Sequence, residues 1–172
     1  MTPTSSPGLD PIAEARRQWV AHGWVDAAAG MTAVTSIMRA HQLLLARVDE
    51  TLKPFALTFA RYELLTLLSF SRQGRMPLSS AASRLQVHQT SVTNTVDRLE
   101  AAGLVAREPH PGDRRATLVA LLPSGRDLAA RATAALNADV FRAPGIDAGD
   151  TEDLIAIIGR LRADAGDVVS DS

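Results

Sequence analysis

Within residues 79–122 the hydrophobic rhythm of this chain changes three times, and each change carries a residue that stops the element before it. Ser79 or Ser80 is placed to cap a short helix through Leu85. Gln86 and Val87 then form a turn into HQTSVTNTVDRLEAAGL, residues 88–104. There Val92, Val96 and Leu99 fall on one face at spacings of four and three, and Gly103 stands where a helix end wants a left-handed residue. Two β-favouring runs follow, LVARE (104–108) and TLVALL (117–122), with the chain-breaking segment PHPGDRRA between them. Two short helices, a tight turn and a hairpin predict a winged helix-turn-helix, with Arg114 and Arg115 held out at the hairpin tip.

The flanking segments read as helix. PIAEARRQWVAH places Ile12, Ala15, Trp19 and His22 at helical spacing between Pro11, suited to a first turn, and Gly23, suited to a stop. A second helix from Trp24 or Met31 to Leu52 gathers Val34, Ile37, Met38, Leu44, Leu45 and Val48, and Pro54 ends it. Thr58 is the expected N-cap of FARYELLTLLSF, in which Phe59, Tyr62, Leu65 and Leu68 recur. After Pro123 an alanine-rich helix covers 124–141, and after APGIDAG a last helix from Asp150 or Thr151 carries Leu154, Ile155, Ile158 and Leu161 on one face. The expected fold is mainly α with a small β-hairpin wing. Its parts are a disordered tail at 1–9, N-terminal dimerisation helices at 10–57, a winged helix-turn-helix at 58–122 and C-terminal dimerisation helices at 123–172.

Composition narrows the function. With 172 residues, 46% hydrophobic and 22% charged, the chain is an ordinary globular one. It has no cysteine, which removes disulfides, thiolate zinc sites and thiol redox sensing. The start MTPTSSPGLD is unlike a signal peptide and no uncharged apolar run approaches the ~18 residues of a membrane span, so a cytoplasmic protein without a membrane partner is expected. The four histidines, His22, His41, His88 and His110, are dispersed, and neither Gly-x-Ser-x-Gly nor a P-loop is present. No metal, no cofactor and no enzymatic activity are expected. The net charge of −1 conceals an uneven spread: nine arginines against five acids over 72–131, and three against eight over 132–172. A basic middle beside an acidic end points weakly to a polyanion.

With Val92, Val96 and Leu99 turned inward, the helix at 88–102 must show Thr90, Ser91, Asn94, Asp97 and Arg98, with Gln89 and Thr93 at the margins. Short hydroxyl and amide side chains suit close approach to base edges and phosphates in a major groove, and His88 sits where the helix begins. An arginine at the hairpin tip, Arg114 or Arg115 beside Asp113, suits a narrow, electronegative minor groove. Taken alone, the helix face reads more simply as a solvated surface; the adjacent basic hairpin turns the balance to DNA. Two other classes fit less well: a winged-helix protein-interaction module, and a non-specific architectural DNA binder, which would carry more positive charge.

From about Arg61 to Leu128, and above all in SVTNTVDRLEAAGLV and the Asp-x-Arg of Asp113 and Arg115, the chain resembles the multiple-antibiotic-resistance regulator (MarR) family of winged-helix transcription factors. The resemblance implies a homodimer with intertwined terminal helices, a recognition helix at 89–102 and a minor-groove arginine at Arg115. It implies a repressor acting on double-stranded DNA with a pseudo-palindromic operator. It also implies a small aromatic effector in a cleft near His41, Phe55, Phe59, Arg61 and Tyr62, although Phe59 and Tyr62, at helical spacing with Leu65, read rather as core. Trp19, Leu154, Ile155, Ile158 and Leu161 are the expected dimerisation residues. One departure stands out: the family usually has threonine where Leu122 stands, so the cap of the next helix is either absent or moved to Ser124.

Overall fold

Asp10 opens the first helix, its carboxylate accepting the Ile12 N–H at 3.0 Å while Pro11 occupies the first turn, where no N–H is needed. The computed structural model describes residues 10–167, so the expected tail at 1–9 lies outside the described residues. Helix α1 (Pro11–Ala21) ends at Gly23, whose φ of +84° carries the chain into α2 (Val25–Leu52). The turn is lined by aromatic rings: Trp24 meets Trp19 edge-on at 5.2 Å and stacks on His22 at 5.4 Å. The chain divides into two compact units at Val48 and Asp49. In the first, Ala28 and Val48 are buried, whereas Val34, Ile37, Met38, Leu44 and Leu45 of α2 are exposed.

The second unit is built around α3 (Phe59–Phe70), which follows a 3-10 turn at Lys53–Phe55. Thr58 occupies the N-cap position but its hydroxyl makes no capping bond. Leu64, Leu65 and Leu68 are fully buried, joined by Leu52, by Val92, Val96 and Leu99 of α5 (Gln89–Ala101) and by Val105 and Val119 of the sheet. Each such side chain contributes about 1.5–3 kcal/mol relative to an exposed one, so this core holds the unit together.

The helix-turn-helix consists of α4 (Leu78–Leu85) and α5. Helix α4 starts earlier than Ser79 or Ser80 would set it, with Pro77 at the N-cap and no side-chain cap. The cause is a strand that sequence periodicity does not reveal. β1 (Arg75–Pro77) pairs antiparallel with β3 (Asp113–Leu121), which pairs with β2 (Val105–His110), giving the order β1-β3-β2. The wing strands also run further than expected. The tip is Pro111 and Gly112, so Arg114 and Arg115 open the returning strand rather than crown the turn. Pro109 is tolerated because β2 is an edge strand and the register slips between Pro109 and His110.

Helix α6 (Pro123–Leu136) runs into a π-helical turn (Asn137–Phe141), and α7 (Ala148–Asp164) is capped by Asp147 through the Asp150 N–H at 2.8 Å. The last helix therefore starts two to three residues before the expected Asp150 or Thr151. Leu122 is the N-cap of α6 and gives it no side-chain bond; Ser124 does not take over that role but donates its hydroxyl to the Gly103 carbonyl at 2.6 Å. The neighbouring Gly125 is required, since a Cβ there would lie 2.1 Å from the Leu104 carbonyl oxygen. Replacing Gly125 with Ala should push α6 off the α5–β2 turn and destabilise the fold by at least about 2 kcal/mol, measured by urea denaturation.

Candidate nucleic-acid interface

The imidazole of His88 forms the N-cap of α5, its Nδ1 accepting the Thr90 N–H at 3.3 Å, so this ring first serves to start the helix. Beyond it, Gln89, Thr90, Ser91, Asn94 and Arg98 are exposed and Thr93 is half-buried. The hydroxyls differ in what they can offer. Thr93 donates to the Gln89 carbonyl at 3.0 Å and Thr95 to the Ser91 carbonyl at 2.9 Å, which leaves both as acceptors only. Among the described residues the side chains of Gln89, Ser91, Asn94 and Arg98 have no hydrogen-bond partner, so this face keeps uncommitted donors and acceptors.

On the wing, Asp113 acts on the backbone. Its carboxylate accepts the backbone N–H of Arg115 at 2.9 Å, turning the first residues of β3 and leaving the Arg115 side chain exposed. His110 supports the tip from the other side through a 3.1 Å contact with the Gly112 N–H. A concavity lined by Gln89, Asp113, Arg115 and Thr117, floored by Pro77 and Leu78, joins the start of α5 to the wing. The polar helix face and Arg115 thus border one continuous surface.

What fixes the wing against the helix was not among the residues expected from sequence. Arg107 of β2 pairs with Asp97 of α5 at 2.5 Å and with Glu100, and its backbone N–H donates to the Glu100 carboxylate at 2.9 Å. Asp97, expected on the open face, is therefore committed to the wing. Arg75 and Glu108, 3.0 Å apart, span β3 and tie the outer strands together. The alternation Val105, Arg107 in an edge strand was the one sequence signal, since it puts Arg107 on the face that meets α5.

The residues expected at an effector cleft are drawn from both units. Phe55, Phe59, Arg61 and Tyr62 belong to the second unit and His41 to the first, where it is exposed. Tyr62 is buried, stacks on Phe59 at 6.2 Å between centroids and shares a 3.1 Å hydrogen bond with Thr133 of α6, so it packs as core. Phe55 lies 6.0 Å beneath the Arg131 guanidinium and Arg61 is half-buried. Of the expected dimerisation residues, Leu154, Ile155 and Leu161 are exposed and Trp19 and Ile158 half-buried. No helix among the described residues is long and apolar enough to cross a membrane.

A family model described as MarR family matches residues 57–117. The chain is similar to Sco5413, a MarR family transcriptional regulator from Streptomyces coelicolor, at 49% identity over 81% of this chain and 96% of that one, with a TM-score of 0.74. It is similar to Sco3205, a MarR family transcriptional regulator of the same organism solved in complex with DNA, at 26% identity over 80% and 88% of the two chains and a TM-score of 0.68. A third similar structure is Bordetella bronchiseptica BpsR, whose DNA binding is regulated by 6-hydroxynicotinic acid: 25% identity, 74% and 90% coverage, TM-score 0.67.

The Glu100 contact sets a pH dependence. The Arg107 backbone N–H, followed by its guanidinium, holds the Glu100 carboxyl below the usual carboxylate range. A lowered folded-state pKa contributes stability that is present above the unfolded value and lost as pH falls through the folded one. The wing should therefore stay attached through the neutral range and loosen only in acid, below the ordinary carboxylate pKa. The Arg107 amide chemical shift followed by NMR should titrate there and stay flat near neutrality.

Proposed function

The chain belongs to the MarR family of transcriptional regulators, and from that premise we propose that it reads specific double-stranded DNA as a homodimer, most simply as a repressor in the cytoplasm. The observation that carries this is the set of uncommitted side chains on α5, Gln89, Ser91, Asn94 and Arg98, with Gln89 and the exposed Arg115 lining one concavity. We assign DNA reading to residues 58–122, with His88, Gln89, Thr90, Ser91, Thr93, Asn94 and Arg98 at the major groove and Asp113, Arg114 and Arg115 at the flanking minor groove. Residues 10–57 and 123–172 are assigned to assembly. Exposed Val34, Ile37 and Met38 on α2 and Leu154, Ile155 and Leu161 on α7 support that assignment, because apolar faces of this extent call for a covering partner.

The similarity to BpsR supports a small aromatic effector that alters DNA affinity. Phe55, Phe59, Arg61, Tyr62 and His41 are the residues we assign to its neighbourhood. With Tyr62 buried and bonded to Thr133, Phe55 and Phe59 are the better placed to touch a ligand. No enzymatic step is assigned to any residue.

A dyad-related pair of recognition helices reads half-sites about one helical turn apart, so selection from random DNA should return an inverted repeat with centres roughly 10 bp apart. Binding should weaken steeply with salt as phosphate contacts release counterions. Asymmetric selected sites, or salt-indifferent binding, would count against this reading. On the selected site, Arg115→Ala should cost about 1–3 kcal/mol of affinity and relax the flank preference while melting stays unchanged, whereas Asn94→Ala should alter preference at particular major-groove positions.

A further inference from the structure

Gln86 is the joint of the helix-turn-helix, and its backbone is unusual: φ is +54°, a left-handed conformation in a residue that is not glycine. Both ends of its side-chain amide are also engaged. The amide nitrogen donates to the Asp167 carbonyl at 3.0 Å and the amide oxygen accepts from Arg162 at 3.2 Å. Arg162 is itself held by the Asp167 carboxylate at 2.6 Å, and the Asp167 N–H closes the ring onto the Arg162 carbonyl at 2.9 Å. A side chain at this position needs one donor and one acceptor at the same reach; glutamate lacks the donor and lysine the acceptor. The ring ties the end of α7 to the turn between α4 and α5, while Leu154, Ile155, Ile157 and Leu161 along α7 stay exposed.

We infer that Gln86 is a positioning residue for DNA reading: with Arg162 and Asp167 it latches α7 to the helix-turn-helix turn and limits how far α5 can swing. The inference rests on the DNA-reading role proposed above. A partner that covers the apolar face of α7 also bears on this latch, so assembly reaches the recognition helix through this amide as well as through the junction at the start of α6. A latched turn meets DNA already ordered, and releasing it adds an ordering cost to binding without removing any contact to DNA.

The test uses the full-length chain and three variants: Gln86→Gly, which suits the left-handed backbone while deleting the amide; Arg162→Ala; and the double variant. Amide hydrogen exchange at Val87, Ser91 and Val92 should speed up by about three- to tenfold in each single variant, the size expected for one or two surface hydrogen bonds. DNA affinity should fall by a similar factor with melting and dimer content unchanged, and the double variant should be no worse than either single one. Unchanged exchange in Arg162→Ala, or single effects that simply add, would overturn the latch. Faster exchange with wild-type affinity would overturn its positioning role. Absence of sequence-specific binding by the unaltered chain would sink the DNA-reading role instead, and exchange would still decide whether the latch exists.

Discussion

The guanidinium of Arg107 holds the reading surface in one piece. It sits on the strand that leads out to the wing and reaches two carboxylates on the recognition helix, Asp97 and Glu100. Arg107 keeps 28% of its side chain exposed and its partners 55% and 38%, so water screens these pairs and they contribute little to stability. Their effect is geometric. A hairpin joined to a helix only through its turn can hinge about that turn; a planar fork gripping the helix in its last turn, at Glu100, and about one turn earlier, at Asp97, removes the hinge. The distance between the polar face of α5 and Arg115 then becomes a property of the fold rather than of the bound DNA.

A second constraint lies beneath the first. The α5–β2 turn receives the start of α6 so closely that Gly125 has no room for a side chain, and the Leu122 N–H donates to the Leu104 carbonyl at 3.0 Å. Together with the Ser124 hydroxyl on Gly103, this anchors the helix leading away from the wing at the point where the recognition helix ends. Helices α6 and α7 are therefore tied to α5 by a backbone junction at one of its ends and, through Gln86, by a side-chain contact at the other. Such paired attachments are where a change outside the helix-turn-helix can reach α5.

Much of this was legible in the sequence because it is local. The burial of Val92, Val96 and Leu99, the left-handed Gly103 and the stop at Gly23 follow from spacing and backbone preference within a few residues. What was not legible depends on partners distant in sequence or on elements too short to show a period. β1 has three residues and exists only because β3 offers it an edge. Pro109 and Gly112 suggested a wide loop, whereas a proline on an edge strand costs no ladder bond and the hairpin closes tightly. Ser124 reads as a helix cap from its position beside Pro123, but the Gly103 carbonyl claims its hydroxyl. Arg107 and Asp97 look like surface charges until the strand folds back on the helix. Arg114 and Arg115 were rightly placed on the hairpin and wrongly at its tip.

The central claim is that helix and wing address DNA as one rigid unit held by Arg107. The most direct measurement is the affinity of Arg107→Met for the selected DNA site beside its melting temperature. Methionine keeps much of the aliphatic stem and loses the fork. The account predicts a loss of about tenfold or more in affinity with melting little changed, since the helix and wing must then be aligned during binding. Wild-type affinity in a folded Arg107→Met protein would contradict it.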